Sequence, residues 1–236
     1  MDIIEKPSDI KITKINMSCD KSPKGFSKVL DWNGAYLIAG PPKSGKTNLL
    51  VNLISKRSKK TFYRKFDRIH IFSPSLKTIG KKIDIPDEDK YNKFDSEIVQ
   101  GILDDIPDDE NHLFIFDDCI VDLGKKSNRP IVLNMIYNRR HYGGGITIII
   151  TSQKYRKCHH DIRVATSNLM MFSKSRIELD AIHSEFSNLP KDAFYNLVLK
   201  KVFKDKYDFL YMRTQEPEGS KYHRSFNPLR IKFHDD

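Results

Sequence analysis

Apolar residues in this chain gather into short runs separated by polar stretches and by glycine and proline. Ala35-Tyr36-Leu37-Ile38-Ala39, Leu113-Phe114-Ile115-Phe116 and Ile146-Thr147-Ile148-Ile149-Ile150 are almost continuous. A strand with both faces covered reads this way, so these runs predict the middle of a parallel sheet between helical layers. Arg68-Ile69-His70-Ile71-Phe72-Ser73 alternates and stops at Pro74, which predicts another strand. Asn168 to Phe172 and Tyr207 to Met212 predict two more. The apolar spacing of Leu49, Leu50, Leu53 and Ile54 predicts a helix from about Lys46 to Ser58. Further helices are expected from about Ser96 to Leu103, Arg129 to Tyr142 and Arg176 to Phe186, with one more after Pro190. Strands alternating with helices define an α/β class with a mostly parallel central sheet.

The pattern also predicts boundaries. Residues 1–30 read as an extension with one edge strand at Ile10-Lys11-Ile12, residues 31–213 as the domain, and 214–236 as a basic, aromatic tail. Lys77 to Asp95 is polar and reads as an excursion. No internal repeat is present. No stretch approaches the roughly 18 consecutive apolar residues of a membrane span. Met1-Asp2-Ile3-Ile4-Glu5-Lys6 lacks the apolar segment of a secretory signal, so an intracellular protein is expected. The three cysteines are too scattered for a disulfide framework. Cys158-His159-His160 invites a metal reading, but adjacent side chains point apart and no second ligand pair stands at zinc spacing. Surface or DNA-facing polar residues are expected there instead.

Charge adds a partner class. With 41 Lys and Arg against 31 Asp and Glu, the net charge is +10. Lys56 to Lys65 is basic with Phe62 and Tyr63 inside it, whereas Asp84 to Glu110 is acidic. A basic balance suits a polyanion such as nucleic acid. The plainer alternative is a solvated lysine-rich face.

The first chemical motif closes the run that ends at Ala39. Gly40-Pro41-Pro42-Lys43-Ser44-Gly45-Lys46-Thr47 fits the phosphate-loop (Walker A) pattern, two glycines four residues apart followed by Lys and Thr. Gly40 and Gly45 let the loop bend and bring backbone N–H groups to phosphate oxygens. A helix starting near Lys46 aims its unpaired N–H groups at the same anion. Lys46 is expected to reach the β- and γ-phosphates of a nucleotide, and Thr47 to take one position on Mg²⁺. Pro41-Pro42 should stiffen the loop.

The second motif is the strand end at Asp117-Asp118, where ligands bind in sheets of this kind. It has the Walker B form. Asp117 is expected to hold Mg²⁺ and Asp118 to orient or deprotonate the attacking water. The run from Ile146 ends in Thr151-Ser152-Gln153, and Gln153 stands where an amide can sense the γ-phosphate or position water.

Together these motifs, with Asn138-Arg139-Arg140-His141-Tyr142 running into Ile148 to Gln153, resemble the genome-packaging ATPases of large eukaryotic DNA viruses and virophages. These form the poxvirus-type branch of the FtsK–HerA superfamily. The similarity covers about residues 34 to 175 and continues weakly to near 213. It implies a RecA/FtsK-like P-loop fold with helices on both faces of the sheet and ATP hydrolysis with Mg²⁺. It also implies the movement of double-stranded DNA into a capsid by a homo-oligomeric ring, at capsid or portal-vertex proteins. The implied place is the host-cell cytoplasm, at the viral factory, or the virion. In ring motors a neighbouring subunit can supply an arginine finger. Arg139 and Arg140 are the first candidates, with Arg163 and Arg156 behind, and each has a salt-bridged or DNA-facing alternative. Asp118 stands where many relatives outside this branch have Glu. Two other classes compete: a P-loop nucleotide or small-molecule kinase, and a scaffold that binds nucleotide without hydrolysing it.

Overall fold

A computed structural model describes residues 22–79 and 83–231. The edge strand expected at Ile10–Ile12 and Cys19 lie outside the described residues. Among the described residues nine strands form one sheet: β1 (Ala35–Ala39), β2 (Arg68–Phe72), β3 (Lys90–Tyr91), β4 (His112–Phe116), β5 (Ile146–Ser152), β6 (Asn168–Met171), β7 (Leu210–Arg213), β8 (Tyr222–Arg224) and β9 (Asn227–Pro228). Their order is β3-β2-β4-β5-β1-β6-β7-β8-β9. The first six in that order run parallel, and β7, β8 and β9 add on antiparallel. The three near-continuous apolar runs are the adjacent central strands β4, β5 and β1, every residue of them buried.

Alternate residues of β1 enter two different cores, as the two-residue period of a strand requires. Tyr36 and Ile38 face α1 (Lys46–Ser55), whose Leu50, Leu53 and Ile54 are buried there beside Ile79 of α2 (Leu76–Ile79). Trp32 stacks on Phe66 with centroids 5.0 Å apart, and Phe26 and Phe62 complete that side. Ala35, Leu37 and Ala39 face the larger layer. It is built from α3 (Ser96–Asp104), α4 (Ile120–Leu123), α5 (Arg129–Asn138), α6 (His160–Ala165), α7 (Arg176–Phe186) and α8 (Lys191–Asn196). The sheet is thus covered on both faces. After α8 a π-helical turn, Leu197–Val202, leads toward β7. No helix among the described residues is long and apolar enough to cross a membrane.

Several boundaries differ from the sequence expectation. The helix expected to reach Tyr142 stops at Asn138, so Arg139, Arg140 and His141 follow it rather than ride on it. A turn there feeds β5, with His141 N donating to Asn138 O at 2.7 Å and Ile146 N to Arg139 O at 2.8 Å. Part of the expected tail, residues 222–228, forms β8 and β9 of the main sheet, and Tyr222 and His223 are buried. Phe26 and Leu30 of the expected extension lie in the core. Tyr207 stands in a loop before β7, not in a strand. Cys158 is buried, contrary to the surface position expected of it.

Candidate functional site

The parallel register sets the site. Ala39 of β1 pairs with Ser152 of β5, and Phe116 of β4 with both Ile150 of β5 and Phe72 of β2. The residues just past these strands (Gly40, Asp117 and Gln153, with Ser73 beside them) therefore emerge at one edge, where open α/β sheets bind ligands.

Gly40 leaves β1 with its N–H on Ser152 O at 3.1 Å. A Cβ there would stand 2.6 Å from the Phe172 Cβ, closer than carbon atoms approach, so glycine is required. Lys43 (φ 62°) and Gly45 (φ 111°) are left-handed, and the alternation of hand turns backbone N–H groups toward a common centre. Gly45 caps α1 without a side-chain hydrogen bond, and the first turn of α1 holds no acid. The first N–H groups of that helix are thus left for an anion. The Ser44 Oγ is buried with no hydrogen-bond partner. The Lys46 Nζ folds back onto Gly40 O at 2.6 Å and Pro41 O at 3.1 Å. Burial holds the Lys46 ammonium below its usual range, against the pull of Asp118 and Asp117.

Asp117 is buried and doubly held. Its Oδ1 accepts from Thr151 Oγ1 at 2.7 Å and its Oδ2 from Ser73 Oγ at 2.9 Å. Burial raises its carboxyl above the usual range, and the two hydroxyls oppose that rise. Asp118 is half-buried and left-handed (φ 52°), a conformation that costs a non-glycine residue roughly 1–2 kcal/mol. Its N–H donates to Thr151 Oγ1 at 3.0 Å. The Gln153 Nε2 donates to Asp118 Oδ2 at 3.4 Å. Backbone strain of this sort gathers at working sites, and here it turns two consecutive carboxylates in different directions.

Lys46, Asp117, Asp118 and Gln153 are thus brought together, with Ser44, Gly45 and Thr47 alongside. Ser73 and Thr151 belong to the same site. Sequence reading missed their role, although both are polar residues at strand ends, the signal that led to Gln153. A buried hydroxyl without a partner, glycines forced by close approach and uncapped N–H groups fit a polyphosphate. A hydroxyl at Thr47 and a carboxylate at Asp117 supply the hard oxygen donors that Mg²⁺ prefers.

The arginines lie elsewhere. Arg139 follows α5 at the opposite end of the strands, where its Nε donates to Asn33 O at 2.6 Å and Nη1 to Ile136 O at 2.7 Å. Arg140, next to it, is exposed. Neither stands at its own chain's phosphate loop. Arg163 is engaged by Glu185 and by Cys158 O at 2.9 Å, with its guanidinium 4.9 Å from the Tyr155 ring centroid. Arg156 is exposed just beyond β5.

No family model matches the chain, and no characterised protein matches it by sequence. Among solved structures it is similar to B204, the DNA-packaging ATPase of Sulfolobus turreted icosahedral virus. That match has 14% identity over 77% of this chain and 93% of that one, with a TM-score of 0.53. It is also similar to the genome-packaging NTPase B204 of Sulfolobus turreted icosahedral virus 2 in complex with AMPPCP, at 14% identity over 81% and 97%, TM-score 0.54. A third likeness is to the cytoplasmic domain of the type VII secretion ATPase EccC of Thermomonospora curvata, at 15% identity over 86% of this chain and 25% of that one, TM-score 0.52. At such identities the likeness is one of fold, and this chain has the RecA/FtsK-like P-loop NTPase fold, with its phosphate loop and paired carboxylates at the edge where that fold binds nucleotide.

Proposed function

We propose that this chain hydrolyses ATP at the Gly40–Thr47 loop and uses the energy to drive double-stranded DNA into a viral capsid. The observation that carries hydrolysis is the meeting of Lys46, Asp117, Asp118 and Gln153 at one sheet edge, beside the unpartnered Ser44 hydroxyl. The backbone of the loop and the Lys46 ammonium hold the β- and γ-phosphates. Thr47 and Asp117 hold Mg²⁺, which when bound draws charge from the phosphate oxygens. Gln153 and Asp118 position a water, and Asp118 accepts its proton as the water oxygen bonds to the γ-phosphorus and the bond to ADP breaks.

Packaging is supported by the similarity to the viral B204 proteins and by the charge of the chain. Lys56, Arg57, Lys59, Lys60 and Arg64 are exposed and carry no acid among them, which suits a phosphate backbone. A ring of subunits in head-to-tail contact lets the end of the sheet that carries Arg140 face the neighbour's phosphate loop. Arg140 is then the finger in trans, and Arg139 the arginine that fixes the turn bearing it. Such a motor works in the host-cell cytoplasm with capsid or portal-vertex proteins as partners. The structures it resembles are ATPases, and no observation favours a kinase or an inert scaffold. The test is phosphate release with and without duplex DNA at increasing salt. Stimulation that is independent of DNA sequence and falls steeply with salt is expected; turnover indifferent to DNA overturns the motor reading.

A further inference from the structure

The direction in which a nucleotide must lie can be read from the strand order. Asp117, Asp118 and Gln153 stand past β4 and β5, on one side of β1, and they define the γ-phosphate end. The sugar and base then leave the loop toward the other side of β1, where β6 ends and β7 begins. The loop before β7 lies there, and its Tyr207 is 59% exposed. A Cβ built on Gly45, the residue at the start of α1, would meet Tyr207 Cδ1 at 3.4 Å and Phe172 Cε1 at 3.5 Å. The ring of Tyr207 therefore stands beside the phosphate loop, over the side of Gly45 that carries no Cβ.

Single exposed aromatics are ordinary on protein surfaces. This one is held in place by an ordered loop. Asp208 Oδ2 accepts from Lys204 N at 3.1 Å, from Asp205 N at 2.7 Å and from Arg224 Nε at 2.9 Å, so the turn is closed on the residue next to Tyr207. On the other side of that turn Phe209 is buried, 4.9 Å from Phe172 and 5.4 Å from Phe226 between ring centroids. The row of aromatics is thus anchored at Phe172 and Phe209 and presents one ring to solvent beside the phosphate loop. Lys206 Nζ lies 5.3 Å from the centroid of that ring. Core packing does not need Tyr207, because Phe209 already fills the position under β7.

We propose that Tyr207 is the stacking platform for the base of the bound nucleotide. The proposal rests on the nucleotide site described above and adds the part of the ligand which that site does not hold. Stacking on a phenol ring uses the π-face that every base has, so the platform supplies affinity with little choice among bases.

Two ligands separate this role from that of the phosphate loop: ATP, and inorganic tripolyphosphate, which has no base. Dissociation constants for both, with Mg²⁺, are measured by titration calorimetry on the full chain, Tyr207→Ala and Tyr207→Phe. Tyr207→Ala is expected to weaken ATP on the order of tenfold and to leave tripolyphosphate unchanged. Tyr207→Phe, which keeps the ring, is expected to bind ATP as the native protein does. Equal ATP affinity in Tyr207→Ala and the native chain overturns the proposal, and so does an equal loss for both ligands, which would mean that the ring only shapes the loop. In both of those cases tripolyphosphate binding by the native chain, abolished in Lys46→Ala, leaves the phosphate site standing. A native chain that binds neither ligand overturns the nucleotide reading and this proposal with it.

Discussion

The Thr151 hydroxyl donates to Asp117 Oδ1 at 2.7 Å and accepts the Asp118 N–H at 3.0 Å, so one side chain of β5 holds both acidic residues that follow β4. Thr151→Val keeps the shape and removes the hydroxyl. It leaves a buried carboxylate oxygen short of one donor and a backbone N–H without its acceptor, at a cost of about 1–3 kcal/mol. Turnover is expected to fall at least as far as stability does, because the left-handed turn at Asp118 loses its tether. Denaturant unfolding beside a phosphate-release assay checks this; native turnover in Thr151→Val contradicts it.

Arg139 and Arg140 are neighbours with different expected roles. Arg139 ties the turn after α5 to the backbone of Asn33 and Ile136. Arg139→Ala is expected to destabilise the fold by about 2–3 kcal/mol, in the range of charge-assisted hydrogen bonds. Arg140 is exposed, and in Arg140→Ala hydrolysis should fall on the order of 10³-fold with ATP binding intact. Mixing Arg140→Ala with Lys46→Ala should restore partial turnover, since some interfaces then pair an intact loop with an intact finger. A rate that only sums the two separate proteins contradicts a finger in trans.

His70 predicts a pH dependence of stability. It is buried, its Nδ1 is 3.1 Å from Asp89 Oδ1 and its Nε2 is 3.1 Å from His112 Nδ1, which in turn meets Glu110 through its Nε2 at 2.8 Å. Arg68 also binds Asp89. Burial lowers His70 to about 4 from 6.5, with Asp89 opposing the shift and His112 and Arg68 reinforcing it. The unfolded chain therefore takes up this proton first. The stability due to neutral His70 is complete above pH 6.5 and is lost as pH falls toward 4. Melting temperatures across that window should fall more steeply for the native chain than for His70→Gln; equal slopes contradict the assignment.

The central strands were legible because burial on both faces leaves few polar positions: β1, β4 and β5 are apolar except His112, Thr147 and the polar end of β5. The phosphate loop was legible because its chemistry is written in consecutive residues. β3 and β9 were not, since two residues carry no period, and their pairing comes from the sheet edge they meet. The end of α5 was missed because apolar spacing continues through Tyr142, while the chain must turn at Arg139 to enter β5. Ser73 and Tyr207 were read as parts of strands. Their place at the site depends on which strands are neighbours, and that is a property of the sheet order.

The central claim is that Lys46 and the carboxylates opposite it form an ATP-hydrolysing site. The most direct measurement is steady-state phosphate release by purified native chain, Lys46→Ala and Asp118→Asn, each shown to be folded by its melting temperature, with duplex DNA and Mg²⁺ present. The native chain should release phosphate, Lys46→Ala should release none and bind ATP weakly, and Asp118→Asn should bind ATP yet fail to turn it over. Near-native turnover in folded Lys46→Ala would contradict the account at its root.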